Sequence, residues 1–194
     1  MDDFYSSIKD LLLSHEKSDV VLGINQIVEG SGQLVDIAIG MLENGCDKYF
    51  AAEKLPAFGS RIIPRLIDVL EQSDSLEVKR YCALLLGQFY DWTGREILEE
   101  EILGLKDLAL QAESRLEKID PVYSRNLMIK ALDDYPFTPD DLREKDYTVA
   151  SMLYRLYHQP EGLPQRFVDK FSGENLPDEI RFIMSHLSGL DDEM

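Results

Sequence analysis

Two neighbouring runs decide the fold: Ile62-Ile63-Pro64-Arg65-Leu66-Ile67-Asp68-Val69-Leu70 and, after a short polar stretch, Leu76-Glu77-Val78-Lys79-Arg80-Tyr81-Cys82-Ala83-Leu84-Leu85-Leu86-Gly87. In both, apolar residues return every three or four positions, the period of a helix with one face in a core. Pro64 falls in the first turn, where its missing N–H costs little because those donors have no intrahelical partner. Ser60 stands where it can cap the first helix, and Ser73-Asp74-Ser75 forms the turn, with Ser75 placed to cap the second. Two amphipathic helices joined so tightly lie antiparallel, as a hairpin.

Outward from this hairpin the same punctuation continues. Thr93-Gly94-Arg95-Glu96 has the form of a capping box. Asp120-Pro121 and Thr138-Pro139 each pair an N-cap residue with Pro at the first helical position. Gly30, Gly45, Gly59 and Gly173 fall where a left-handed residue ends a helix. These marks predict about eleven helices, near residues 3–15, 19–29, 32–43, 46–58, 61–72, 76–91, 94–118, 121–133, 139–158, 163–172 and 176–188, with Gly104 a soft point in the longest. Alternation of period two is absent over any useful length, so the chain is expected to be all-α.

An internal repeat adds architecture. Leu34-Val35, Ala38-Ile39 and Met41-Leu42 align with Ile62-Ile63, Leu66-Ile67 and Val69-Leu70 at an offset of 28 residues. The second helices align at 31, with Tyr49, Phe50, Ala51, Leu55 and Phe58 over Arg80, Tyr81, Cys82, Leu86 and Phe89. A repeated hairpin that cannot bury its apolar face alone must stack on its neighbours.

Residues 61–91 resemble a HEAT repeat. In that family the first helix carries Pro and spaced leucines, and the second carries Val, a basic residue, a small residue and Leu; here these are Pro64, Val78, Lys79, Cys82 and Leu86. The hairpin over 32–58 matches more weakly, lacking the first-helix Pro and having Asp47 in place of Val. The resemblance implies a right-handed α-solenoid of antiparallel hairpins in one domain, 1–194, with a hairpin stack over 1–133 and a C-terminal helical cap over 139–194. It further implies that second helices line a concave face. On 76–91 the expected buried set is Val78, Cys82, Leu85, Leu86 and Phe89, leaving Lys79, Arg80, Ala83 and Tyr90 outward; on 46–58 Lys48, Glu53 and Lys54 point outward.

Composition narrows the function. Apolar residues make up 44% and charged residues 29% of the 194-residue chain, ordinary for a folded protein able to hold a core without disulfides or metal. The start, Met1-Asp2-Asp3, carries acids where a signal peptide carries bases, and no apolar run is long enough to span a membrane, so a cytoplasmic protein is expected. Cys46 and Cys82 have no metal-ligand spacing and are expected to be buried, reduced thiols. The net charge of −17 is spread along the chain: 10 acids face 4 bases in residues 1–60, 13 face 8 in 61–120, and 14 face 8 in 121–194. Such a surface repels phosphate backbones, which disfavours nucleic acid and with it the DNA glycosylases of HEAT-like fold.

Catalytic signatures are missing. His15, His158 and His186 are scattered without ligand-spaced partners, and His15-Glu16 is the only dipeptide of the sort that helical-repeat hydroxylases use in pairs for iron. Gly30-Ser31-Gly32 follows a helix instead of a strand, so a phosphate loop is not expected. Asp140-Asp141 suits a helix N-terminus. No cofactor or metal and no enzymatic activity are therefore expected.

What remains is a binding surface. Phe89-Tyr90-Asp91-Trp92 closes the second helix of the clearest repeat, and Glu96-Ile97-Leu98-Glu99-Glu100-Glu101 opens the next. Aromatic anchors beside carboxylates suit an interface with a basic protein. The candidate contacts are Tyr90, Asp91, Trp92, Glu96, Glu99, Glu100, Glu101 and, from the concave face, Arg80. On helix 139–158, Leu142, Val149, Ala150, Leu153 and Leu156 take core spacing, and the aromatics Tyr147, Tyr154 and Tyr157 are assigned to packing. The expected function is a non-catalytic protein-binding module, in its most specific form an acidic immunity-type inhibitor of a basic bacterial toxin such as a nuclease. The alternatives are a scaffold or adaptor and a subunit resembling HEAT-like bilin lyases.

Overall fold

The computed structural model describes residues 7, 10, 11, 16–44, 48–134, 139–172 and 176–190. These residues are all-helical, with no strand among them. In chain order the elements are α1 (Lys17–Asn44), α2 (Lys48–Lys54), a 3-10 segment (Leu55–Ile62), α3 (Ile63–Gln72), α4 (Leu76–Gln88), α5 (Arg95–Leu103), α6 (Ala109–Ile119), α7 (Pro121–Asp134), α8 (Pro139–Tyr157), α9 (Gln165–Lys170) and α10 (Asp178–Leu190). The chain divides into two compact units, Met1–Leu85 and Leu86–Met194.

In the first unit α1 packs against α2, the 3-10 segment and α3. The helices expected over 19–29 and 32–43 are one: α1 runs 28 residues straight through Gly30 and Gly32. A glycine inside a helix weakens it by roughly 1 kcal/mol relative to alanine but leaves its hydrogen bonds intact, unlike proline. Gly59, by contrast, has φ 66° and kinks the 3-10 segment from within. The helix expected over 46–58 is only half α-helical, continuing after Lys54 as the 3-10 segment. Gly45, Cys46 and Asp47 lie outside the described residues, as do His15, Thr138, Gly173 and most of the helix expected at 3–15.

Burial revises the repeat register. On α1 the inward residues are Val35, Ile39 and Leu42, and the matching set at the 3-10/α3 junction is Ile62, Leu66 and Val69. That is an offset of 27, one less than the sequence alignment, so Leu34 and Met41 are exposed although their aligned partners Ile62 and Val69 are buried. Identity matching across two hydrophobic helices cannot tell adjacent registers apart when apolar residues come in pairs; the packed face can. The second-helix offset of 31 holds, Ala51 and Leu55 being buried like Cys82 and Leu86.

In the second unit α5 packs on α6 and α7, α6 on α7 and α8, α7 on α8, and α8 on α10. The helix expected over 94–118 is two, broken after Leu103, as the soft point at Gly104 suggested. The left-handed residue is Leu105, not the glycine: it has φ 46°, its N–H donates to Ile102 O, and Lys106 N–H donates back to Glu101 O at 2.9 Å. Leu105 is buried, and this packing holds a conformation that leucine otherwise avoids.

Two expected caps form and two do not. Ser75 Oγ accepts the Val78 N–H at 3.4 Å, and Asp120 Oδ1 accepts that of Tyr123 at 2.9 Å. Ser60 caps nothing with its side chain, because α3 begins three residues later, at Ile63. The Thr93 capping box is also unmade: α5 begins at Arg95 after Gly94, and the Thr93 N–H turns back to Asp91 Oδ1 at 2.8 Å. On α4, Ala83 is buried instead of outward, and Lys79 and Arg80 are half-buried. Every residue from Cys82 to Gly87 is buried, so the helix has no free side there. Gly87 is needed for close approach: a Cβ at that position would come within 2.9 Å of Arg115 Cβ.

Candidate functional site

The aromatic-acidic junction begins where α4 stops. Tyr90 N–H donates to Gly87 O at 3.1 Å and Asp91 N–H to Leu86 O at 3.0 Å, a reverse turn that sets Tyr90 at φ 63°. With its side chain 64% exposed, Tyr90 has little packing to offset that strain. Tyr90→Gly is therefore expected to stabilise the protein by about 0.5 to 1 kcal/mol, read from the urea midpoint. A loss instead would show that the tyrosine ring contributes more than its backbone costs.

Beyond the turn the side chains are tied together. Trp92 meets Tyr123 edge-on, with ring centres 5.8 Å apart, and the Arg95 guanidinium lies 5.7 Å from the Trp92 ring centre. Arg95 also pairs with Glu99 at 2.9 Å, and Glu99 accepts the Tyr123 hydroxyl proton. Burial, with the Glu99 hydrogen bond second, holds the Tyr123 hydroxyl above its ordinary pKa, so it stays a donor. Glu100 pairs with Lys106 at 3.6 Å.

The proposed contacts therefore separate. Tyr90, Trp92, Glu96 and Glu100 are exposed, while Asp91 and Glu99 hold local structure at partly exposed positions. Glu101 does not belong to the surface: it is 2% exposed and its Oε2 accepts the Leu108 N–H at 3.3 Å, supporting the entry to α6. Four glutamates at a helix start read alike in sequence, and only the neighbour packed over the fourth distinguishes it. Arg80 lies in the first unit, half-buried.

A second surface went unrecognised in the sequence. On α8, Tyr147 and Tyr154 are seven residues apart, two helical turns, and so share a face. They are 69% and 42% exposed, which corrects their assignment to packing; Tyr157, half-buried, fits it better. The core positions Val149, Ala150, Leu153 and Leu156 are buried as expected. With Phe182, itself 69% exposed, and Ile183 and Glu179 of α10, the two tyrosines line a groove of about 390 Å³. Leu110, Ala150, Ser151 and Arg155 complete its lining.

Arg155 is engaged from below. It forms an ion pair with Glu113, which is fully buried, and Ser124 Oγ lies 3.4 Å from Glu113 Oε1. Burial pulls the Arg155 guanidinium below its ordinary pKa. A larger cleft of about 500 Å³, lined by Tyr157, Val168, Phe171, Arg181 and Met184, lies between α9 and α10. Arg181, the one guanidinium among its described lining residues, is paired with Asp178. Among the described residues no three His, Cys, Asp or Glu side chains are grouped to hold a metal, and no helix is long and apolar enough to cross a membrane.

The period-seven tyrosines were the available signal for the groove; Phe182 and Glu179 could be joined to them only once α10 was seen to pack on α8. The chain matches no protein-family model, no curated protein and no solved structure.

Proposed function

We propose that the protein works by binding a basic protein, and that in its specific form it is an acidic immunity-type inhibitor of a basic bacterial toxin such as a nuclease. Its hairpins are proposed to stack in the right-handed, HEAT-like manner, a reading supported by the packing of successive helices within each unit. The observation that carries the functional reading is charge: −17 in all, with acids in excess in every third of the chain. An acidic surface of this breadth can raise the rate of encounter with a cationic partner by roughly 10- to 10³-fold at low salt. Exposed aromatic residues, Tyr90 and Trp92 at one place and Tyr147, Tyr154 and Phe182 at another, are the side-chain types that anchor protein interfaces.

Affinity capture from native lysate with the tagged protein tests this. The expected result is a stoichiometric partner of high isoelectric point, whose association rate falls about tenfold or more when salt rises from tens to hundreds of millimolar. A partner that is itself acidic, an association rate indifferent to salt, or the absence of any stoichiometric partner would overturn it.

A further inference from the structure

The three rings of the α8–α10 groove are exposed, and among the described lining residues no polar group is left with an unmatched positive charge. Arg155, the one cation among the described lining residues, is countered by the buried Glu113. Glu179, one turn before Phe182 on the same face of α10, is an exposed carboxylate with no ion pair among the described residues. Aromatic faces carry negative charge above the ring plane and attract ammonium and guanidinium groups within about 6 Å. A carboxylate lining the same groove as three such rings is a combination suited to a cationic side chain.

The occupant follows from charge. A second copy of the chain would bring another −17 against a surface already acidic, and an anionic peptide would meet the same repulsion. An arginine- or lysine-bearing segment meets none. We propose that the groove lined by Tyr147, Tyr154, Phe182 and Glu179 takes an arginine or lysine side chain from an exposed segment of the basic partner. The flat guanidinium of arginine fits the rings better than ammonium does, since it stacks on aromatic faces and holds its hydration weakly. The inference rests on the basic-partner reading and names the place where that partner is anchored.

The test is titration of the full chain with acetyl-Gly-Arg-Gly-Arg-Gly amide, followed by aromatic NMR signals, beside the peptide carrying citrulline for both arginines. Citrulline keeps the shape and removes the charge. Saturable shifts of the Tyr147, Tyr154 and Phe182 ring signals are expected, with at least tenfold weaker binding of the citrulline peptide. Tyr147→Ser combined with Phe182→Ser should weaken the arginine peptide about tenfold, and Glu179→Gln severalfold. These side chains are exposed, so unchanged circular dichroism and melting temperature will confirm that folding is intact.

Equal affinity for the two peptides, wild-type affinity in the groove variants at matched salt, or shifts only away from the three rings would overturn the groove. If those variants also hold the captured basic partner at full strength, the groove fails while the basic-partner reading stands. Capture of an acidic partner overturns that reading, and the peptide titration then reports on the groove separately.

Discussion

Arg155→Ala is expected to lower stability by about 3 kcal/mol, because it leaves the Glu113 carboxyl fully buried and without its cation. The figure belongs to the low end of what breaking a buried pair costs, since the Arg155 side chain is itself 36% exposed and water can follow the truncation inward. Ser124, also fully buried, gives the carboxylate a single long hydrogen bond, too little to replace a guanidinium. Replacing both partners tells the two contributions apart. Glu113→Met with Arg155→Met removes the desolvated charges and fills the space, so it should recover most of the loss, and Ser124 keeps the Glu113 backbone carbonyl at 3.3 Å as an acceptor. Urea unfolding of the single and double variants measures this. An Arg155→Ala protein as stable as the parent would mean that the pair adds nothing, and that α6 and α8 are held by apolar contact alone.

Cys82 should resist alkylation by iodoacetamide in the native protein at pH 8 by about three orders of magnitude relative to the unfolded chain. Burial, with the nearby Glu43 charge second, pushes its thiol up to about 12 from an ordinary value of 9.0. The reactive species is the thiolate, whose fraction falls tenfold for each unit between those values. The side chain is also 0% exposed, so access adds to the protection. Peptide-resolved mass spectrometry separates Cys82 from Cys46, and a native rate within tenfold of the unfolded one would contradict the burial. The same shift has a stability consequence of fixed sign: the unfolded chain releases this proton first, so stability declines as the pH rises from 9.0 toward 12.

The sequence placed Cys82 in the core correctly because its neighbours repeat at helical spacing, and spacing is a property of one helix. The same reasoning covered Val78, Leu85, Leu86 and Leu153, all buried. It failed wherever the answer depended on a second helix. Ala83 was expected outward from the periodicity of α4 and is buried, because more than one face of that helix is covered. Glu101 was grouped with Glu99 and Glu100 because all three carry the same charge in one run, yet only Glu101 turns inward and accepts the Leu108 N–H.

The ends of helices show the same division. Asp120 caps α7 as written, since the residue and its target N–H are three positions apart and nothing distant competes. Thr93 and Ser60 carry equally good local signals and cap nothing, because the chain around them is committed elsewhere: Asp91 takes the Thr93 N–H, and α3 starts only at Ile63. Gly30 was read as a stop and is not one, while Tyr90 and Leu105 hold left-handed conformations that no sequence rule assigns to tyrosine or leucine.

The two helices quoted at the outset are present with the turn between them and the Ser75 cap, since spacing, capping and a short polar turn are all encoded within a dozen residues. So is the charge, which needs no fold to be counted. By itself the sequence determined an all-helical chain, most of its helix positions and an acidic surface. Tertiary structure alone decided the repeat register of 27 instead of 28, which glutamate of the acidic run is internal, and that two tyrosines of α8 meet a phenylalanine and a carboxylate of α10 in one groove. Each of these depends on which face of one helix another covers, and that is set by packing between segments far apart in the chain, where local periodicity carries no information.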